Sequence, residues 1–298
     1  RIISSGSNFA ITRIFAGSSV QGVVQECTSG FTCYQRLKEM EADFDGCASR
    51  LAENLTGLCA AIFDRSRLTI SITGTNADAA AALEATLLSR IVYSGKRDFA
   101  CTVRPWGLRR EGIVIPADVS FAALGGNLLP YNGRYSGSLR VLARIASLSY
   151  LWNAVRVQGG AYGTGLSIGD SGNACFYSYR DPSAPRSLDC YRQTAGFVRQ
   201  FCAAPPDLTG FIIGAVAESE PLMPPRRRGR AADSLYLKGI TYTDRCRTRR
   251  EMLSVTPDTL GAMTESLQAL SDNGSVCVIG SRRQIEACGP EIETVYTL

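Results

Sequence analysis

The chain is 298 residues long, 45% hydrophobic and 20% charged, with a net charge of +5. That composition is ordinary for a globular protein; the charge excess falls short of a nucleic-acid binder's basic stripe, and no apolar run reaches the ~20 residues that span a bilayer. There is no histidine, which excludes a Ser-His-Asp triad, a Cys-His pair and the usual His-based catalytic zinc site from this chain.

Eleven cysteines are scattered from Cys27 to Cys288, none spaced C-x-x-C. An odd count without a framework pattern reads as mostly buried free thiols in a reducing compartment. No basic segment with an apolar stretch behind it opens the chain, so no signal peptide is visible, and the expected location is cytoplasmic. The chain starts at Arg1 rather than methionine, which reads as a piece of something longer.

From Ser7 to about Phe63 the spacing of Phe31, Tyr34, Leu37 and Met40, and of Leu51, Leu55, Leu58 and Ile62, predicts helices. "RLTISITG" (Arg67 to Gly74) alternates and is β-branched, predicting a strand. An alanine-rich helix follows, with Asn76 or Asp78 available as its cap. The charged, Gly- and Pro-containing stretch from Ser94 to Gly112 reads as a linker.

Beyond it, short β-like runs broken by Pro116 and Gly125-Gly126 predict strands. "SLRVLARIASLSYLWNAVR" predicts a helix whose apolar stripe is Leu142, Ile145, Leu148, Trp152 and Val155, with Gly159 as its C-cap glycine. A hairpin turning at Asp170-Ser171-Gly172 comes next, then a helix capped by Ser183. "LTGFIIGAVAE" reads as a strand. Two helices follow, the last opened by Thr256 and Pro257, and "SVCVIGS" closes as a strand. "LTISITGT" and "SVCVIGS" echo each other as strand ends of one repeated module, the first lacking its front half.

The run "RVQGGAYGTG" from Arg156 to Gly165 packs four glycines around one tyrosine. A dinucleotide fingerprint fails here: the glycines follow a helix rather than a strand, and from Gly163 the spacing is G-x-G-x-x-x-G. A structural reading stands beside any functional one, since glycines at strand starts serve bulges and close approaches.

The string R-x-x-G-G-A-Y-G, followed by a strand pair and "SYRDP" (Ser178 to Pro182), resembles the last domain of the pitrilysin/insulinase-type zinc metallopeptidases, most of all the presequence-protease branch. The likeness extends through "GFTCYQRLKEMEADFD" and "RLTISITG", so it spans nearly the whole chain. The resemblance implies an α+β fold: antiparallel-rich sheets with helices packed on one face. It further implies a truncated third module over 1–97, a linker over 98–111 and a complete fourth module over 112–298.

It also implies a function. Such peptidases enclose a chamber between two halves. The N-terminal half carries H-x-x-E-H and the zinc, and the C-terminal half contributes an arginine and a tyrosine across the chamber. Those positions match Arg156, expected to hold substrate, and Tyr162, expected to stabilise the oxyanion; Gly159, Gly160 and Gly163 would shape the approach. The residue types suit the work. A tyrosine hydroxyl donates at neutral pH without a charge change, arginine offers a permanently charged fork, and glycine lets a backbone come close. Zinc would belong to the absent half, with no metal in this chain, which alone should be inactive. The implied partners are a peptide substrate and that N-terminal half, with no nucleic acid and no membrane.

Two alternatives remain open at this point: a catalytically inactive scaffold homologue, and a basic anion- or nucleic-acid-binding module using Arg226 to Arg230 in "PPRRRGRAAD", a stretch that otherwise reads as a solvated loop. Asp181 reads as a strand-to-helix turn residue, and Glu26, Glu41 and Asp43 as a solvated helical face.

Overall fold

A computed structural model describes residues 2–74, 77–91, 102–204 and 207–298. The apolar spacing of the first stretch resolves into four successive helices, α1 (Gly6–Ser18), α2 (Val20–Ser29), α3 (Phe31–Ala42) and α4 (Phe44–Ile62). Their breaks are set by caps: Ser19 Oγ accepts from Gly22 N–H at 3.0 Å and Asp43 Oδ1 from Gly46 N–H at 3.2 Å. The strand expected from Arg67 to Gly74 does not form; a 3₁₀ turn over Arg65–Arg67 gives way to extended chain that pairs with no strand among the described residues. β-propensity without a partner makes no ladder. The alanine-rich run is α5 (Ala77–Arg90); of its two expected caps, Asn76 lies outside the described residues and Asp78 falls inside the helix.

The later elements are β1 (Arg110–Val114), β2 (Phe121–Asn127), α6 (Leu129–Asn132) and α7 (Ser138–Ile145), which runs on into a π-helical segment over Ala146–Val157. Then come β3 (Gly163–Ile168), β4 (Asn173–Tyr179), α8 (Ala184–Ala203), α9 (Thr209–Ser219), α10 (Pro225–Leu237) and α11 (Tyr242–Leu253). The chain ends with α12 (Pro257–Gly261), α13 (Thr264–Asn273), β5 (Ser275–Gly280), α14 (Arg282–Glu286) and β6 (Thr294–Thr297).

Three expectations change here. Gly125 and Gly126 do not break a strand but sit inside β2. A Cβ on Gly125 would stand 2.1 Å from the Ala174 carbonyl oxygen of β4, so the glycine admits a close strand approach. "LTGFIIGAVAE" is the helix α9: Ala215 is buried and Phe211, Ile212 and Val216 pack partly against the core, a helical rather than alternating set. The arginines expected in a loop lie in the first turns of α10, where Pro225 occupies a starting position suited to proline. Thr256 caps α12 as expected, accepting from Thr259 N–H at 3.2 Å.

The six strands form one mixed sheet in the order β3-β4-β2-β5-β1-β6. The pairs β3–β4, β4–β2 and β2–β5 are antiparallel, while β1 lies parallel to both β5 and β6. Alternation divides the core. Ala122, Leu124, Phe176 and Val278 point to one face, under α7, the π-helical segment, α8 and α13. Phe176 stacks on Tyr191 of α8 with ring centroids 5.4 Å apart. Phe121, Cys175, Cys277 and Ile279 point to the other face, where α1 lays Ala10 and Ile14 on the sheet. The fold is thus α+β, with its main helical layer on one face. Each fully buried large apolar side chain contributes about 1.5–3 kcal/mol.

Glu26, expected on a solvated face, is wholly buried. It pairs with Arg13 of α1 at 3.0 Å, and the same guanidinium grips Glu111 of β1 at 2.5 Å through Nε. Trp106, Phe31 and Tyr296 rings surround it at 5.2, 5.8 and 5.5 Å. Burial opposes the Arg13 charge, but the Glu111 and Glu26 carboxylates outweigh it and raise its pKa.

By compactness the chain forms two units. The first comprises Arg1–Tyr34, Val103–Glu220 and Cys246–Leu298, and contains the whole sheet. The second comprises Gln35–Thr102 and Pro221–Arg245. In the second, Ser71 Oγ hydrogen-bonds Asp233, and among the described residues only Ala61 and Asp64 are buried.

Candidate functional site

The Gly-rich string lies where the helical layer hands over to the sheet. From Ala146 the helix widens to i→i−5 bonding, as in Gln158 N–H to Asn153 O at 2.9 Å. The wider winding moves the buried face: Ala146, Leu151 and Val155 are buried, whereas Leu148 and Trp152 of the expected stripe are exposed at 48% and 43%. The stripe therefore holds for Leu142, Ile145 and Val155 and fails for the two residues that assumed an α-helical period.

The winding ends at the glycines. Gly160, not Gly159, takes the left-handed conformation, with φ +83°. Its N–H donates to Arg156 O at 2.9 Å, and Ala161 N–H donates to Val155 O at 3.2 Å. A Cβ on Gly159 would meet the Val155 carbonyl oxygen at 2.4 Å. Both glycines are thus demanded by how the helix stops. A Cβ on Gly163 would meet nothing closer than Tyr179 Cβ at 3.8 Å.

Arg156 and Tyr162 come together. The Arg156 guanidinium carbon sits 4.0 Å from the Trp152 ring centroid and 5.6 Å from that of Tyr162. Tyr162 is 66% exposed, and its ring meets Tyr179 edge-on at 5.9 Å. The Tyr162 N–H donates to both the Tyr179 and Arg180 carbonyls, at 3.0 and 3.3 Å. Sequence reading missed Trp152, Tyr179 and Arg180 as neighbours of this pair. "SYRDP" was visible as a motif, but its register against β3 was not.

The turn behind the tyrosines is tightly held. Arg180 has φ +49°, the only positive value among the described non-glycine residues, a conformation that costs of order 1 kcal/mol or more. Asp181 is buried and bridges Ser120 with backbone bonds of 2.8 Å in both directions. Its Oδ1 accepts from Ser183 N–H at 2.8 Å, and Ser183, which holds the N-cap position as expected, makes no side-chain capping bond. Burial, with Asp181 nearby, pushes the Tyr191 phenol well up.

The chain lacks histidine, and among the described residues no group of three or more Cys, Asp and Glu side chains is placed to hold a metal ion. The described residues do not fit a catalytic zinc. No helix among the described residues is long and apolar enough to cross a membrane.

Residues 110–282 match the family model described as the PreP C-terminal domain. Protein HypA of Clostridium perfringens is 28% identical over 289 residues, covering 96% of this chain and 29% of that protein. Presequence protease 1, chloroplastic/mitochondrial, of Arabidopsis thaliana is 28% identical over 302 residues, covering 98% of this chain and 27% of that protein. Among solved structures, a peptidase M16 inactive domain from Pseudomonas fluorescens aligns with 70% of this chain and 51% of its own at TM-score 0.46 and 12% identity. The chain spans under a third of the length of the curated relatives it matches.

Proposed function

The chain belongs to the PreP C-terminal domain family, and from that premise we propose that it is the non-zinc-binding C-terminal part of a metalloendopeptidase that degrades unfolded peptides. In this reading the chain closes the chamber and presents Arg156 and Tyr162 to the substrate. The observation that carries it is the pairing of half-buried Arg156 with exposed Tyr162, within one cation–π contact of each other on the family's R-x-x-G-G-A-Y-G string. Tyr162 donates its hydroxyl proton in a hydrogen bond to the oxygen that gains charge during peptide-bond attack. Arg156 holds a peptide carbonyl or carboxylate through its planar guanidinium fork. Gly159, Gly160 and Gly163 leave the approach open, although the first two are already required by the helix end.

Zinc belongs, in this reading, to another part of the whole protein, and this chain alone is inactive. Residues 1–97 descend from the end of a third module, 98–111 from a linker and 112–298 from a fourth, a division by ancestry that differs from the compact units. The partners are the peptide and the N-terminal half. A cytoplasmic location is our reading of the free thiols, set against relatives named as mitochondrial and chloroplast proteins; cell fractionation tests it.

The deciding experiment is Tyr162→Phe in the full-length protein. Losing an oxyanion donor should lower peptide turnover ~10²-fold or more with peptide affinity and thermal stability retained. Unchanged turnover would refute the assignment.

A further inference from the structure

Four side chains, Tyr162 and Arg180 exposed and Arg156 and Tyr179 half-buried, form a run with a cation at each end and two rings between. Arg156 lies 5.6 Å from the Tyr162 ring, Tyr162 meets Tyr179 at 5.9 Å, and the Arg180 guanidinium carbon stands 5.5 Å from the Tyr179 ring. The two guanidiniums thus bracket the tyrosine pair.

Neither has a carboxylate partner among the described residues, whereas Arg134, Arg192 and Arg249 each pair with a glutamate. Arg180 moreover occupies a left-handed backbone conformation that an arginine does not favour. The Ser120–Asp181 bridge and the Asp181–Ser183 bond fix the following residue and hold that conformation in place. The carbonyl of Tyr179 and that of the strained Arg180 itself accept the Tyr162 N–H, which couples the placement of Arg180 to that of Tyr162. A strained, exposed, unpaired cation held beside a reactive-site tyrosine has the form of a residue fixed for a ligand rather than for the fold.

We propose that Arg180 is a second substrate-binding residue of this site, reading a carboxylate on the bound peptide. The proposal rests on the peptide-binding reading above. The planar guanidinium takes a carboxylate through two parallel N–H···O bonds, and the Tyr162–Tyr179 rings supply an apolar flank for the intervening peptide. The carboxylate has two sources, an acidic side chain or the peptide's own C-terminus, and both present the same fork.

Binding separates them without relying on turnover. The full-length protein, its metal removed by chelation so that peptide is not consumed, is titrated with three fluorescein-labelled peptides of one sequence. The first carries one internal Glu and an amidated end; the second has Gln there and a free carboxylate end; the third has Gln and an amidated end. Arg180→Asn removes the charge while keeping a residue that tolerates left-handed backbone, and Arg180→Lys restores a cation. The expected result is a loss of about tenfold in affinity for the first or the second peptide, no change for the third, and partial recovery in Arg180→Lys. Which peptide loses affinity names the source. Equal loss on all three peptides, or no loss on either carboxylate peptide, overturns the proposal. If the unaltered protein binds none of the three, the peptide-binding reading itself falls, a result distinct from failure at Arg180 alone.

Discussion

The Arg156 guanidinium carbon stands 4.0 Å from the centroid of the Trp152 ring, one winding earlier in the π-helical segment. Stacking of this kind contributes about 0.5–2 kcal/mol and restricts where the fork points. Trp152 is therefore a positioning residue for Arg156. We predict that Trp152→Ala in the full-length protein weakens peptide binding by roughly three- to tenfold, and that Trp152→Phe recovers most of it because a flat ring remains. Peptide titration alongside thermal melting checks this. A Trp152→Phe variant as weak as Trp152→Ala, with both melting normally, would mean the ring face does not guide Arg156.

The site was legible in the sequence only where its residues are local. Arg156, Tyr162 and the glycines sit in one string, and the hairpin turn at Asp170-Ser171-Gly172 is equally local. Tyr179 and Arg180 reach Tyr162 through the β3–β4 register, in which Gly163 opposes Tyr179, and no single-sequence pattern fixes a register. The fold shows the same division. Helices α1 to α4 and strands β1, β2 and β5 follow from periodicity. The unpaired run after Arg67 and the helix α9 were misread because β-branched residues favour strands only when a partner strand exists and lose to tertiary packing when none does. Glu26 was misread because burial of an ion pair depends on Arg13 and Glu111, at 13 residues' and 85 residues' remove, which no local window connects.

That buried network sets a stability prediction. Arg13 is shared by Glu26 and Glu111, all three nearly or wholly buried. Removing the cation leaves Glu26 buried with no ion partner and Glu111 with only the half-exposed Arg109 at 3.0 Å, a loss of about 3–5 kcal/mol by the general cost of breaking buried pairs. Arg13→Met should show that loss in urea denaturation. Adding Glu26→Gln and Glu111→Gln to the same chain should return part of it, since the uncompensated charges are then gone. A loss under about 1 kcal/mol in Arg13→Met would place the network in the class of exposed pairs.

Glu251 of α11 gives a pH dependence with a definite sign. Its Oε2 accepts from the Gly137 N–H at 2.8 Å, at the start of α7, and its Oε1 takes Arg134 at 2.6 Å. Burial alone would raise its pKa, but the Gly137 N–H and Arg134 outweigh burial and hold it below the ordinary 4.5. The folded value being the lower one, the stabilisation is complete above the unfolded value and is lost as pH falls through the folded value. Glu251→Gln should therefore be less stable than the unaltered chain at pH 6–7, by about 1–2 kcal/mol, and the gap should close as the pH drops below 4.5. Melting curves across pH 3–7 test this; a gap that widens on acidification contradicts the sign.

The cysteines among the described residues, which leave out Cys101, divide by environment rather than behaving as one buried set, which corrects the expectation of mostly buried thiols. Cys175, Cys190, Cys277 and Cys288 are buried, whereas Cys27 and Cys59 are exposed and Cys33, Cys47, Cys202 and Cys246 are intermediate. Burial pushes the Cys175 thiol up to about 12 and raises Cys277 as well, so neither offers thiolate at neutral pH. In native protein at pH 8, iodoacetamide should modify Cys27 and Cys59 within minutes while Cys175 and Cys277 stay unmodified until denaturant is added. The contrast also reports on the sheet: Cys175 and Cys277 lie on β4 and β5 beneath α1, facing the same side. If α1 left that face readily, both would label at the rate at which it opens, and a slow, denaturant-independent labelling of the two together would measure that opening. Peptide mapping by mass spectrometry separates the cases, and rapid modification of Cys277 in the folded protein would show that α1 does not cover the sheet as described.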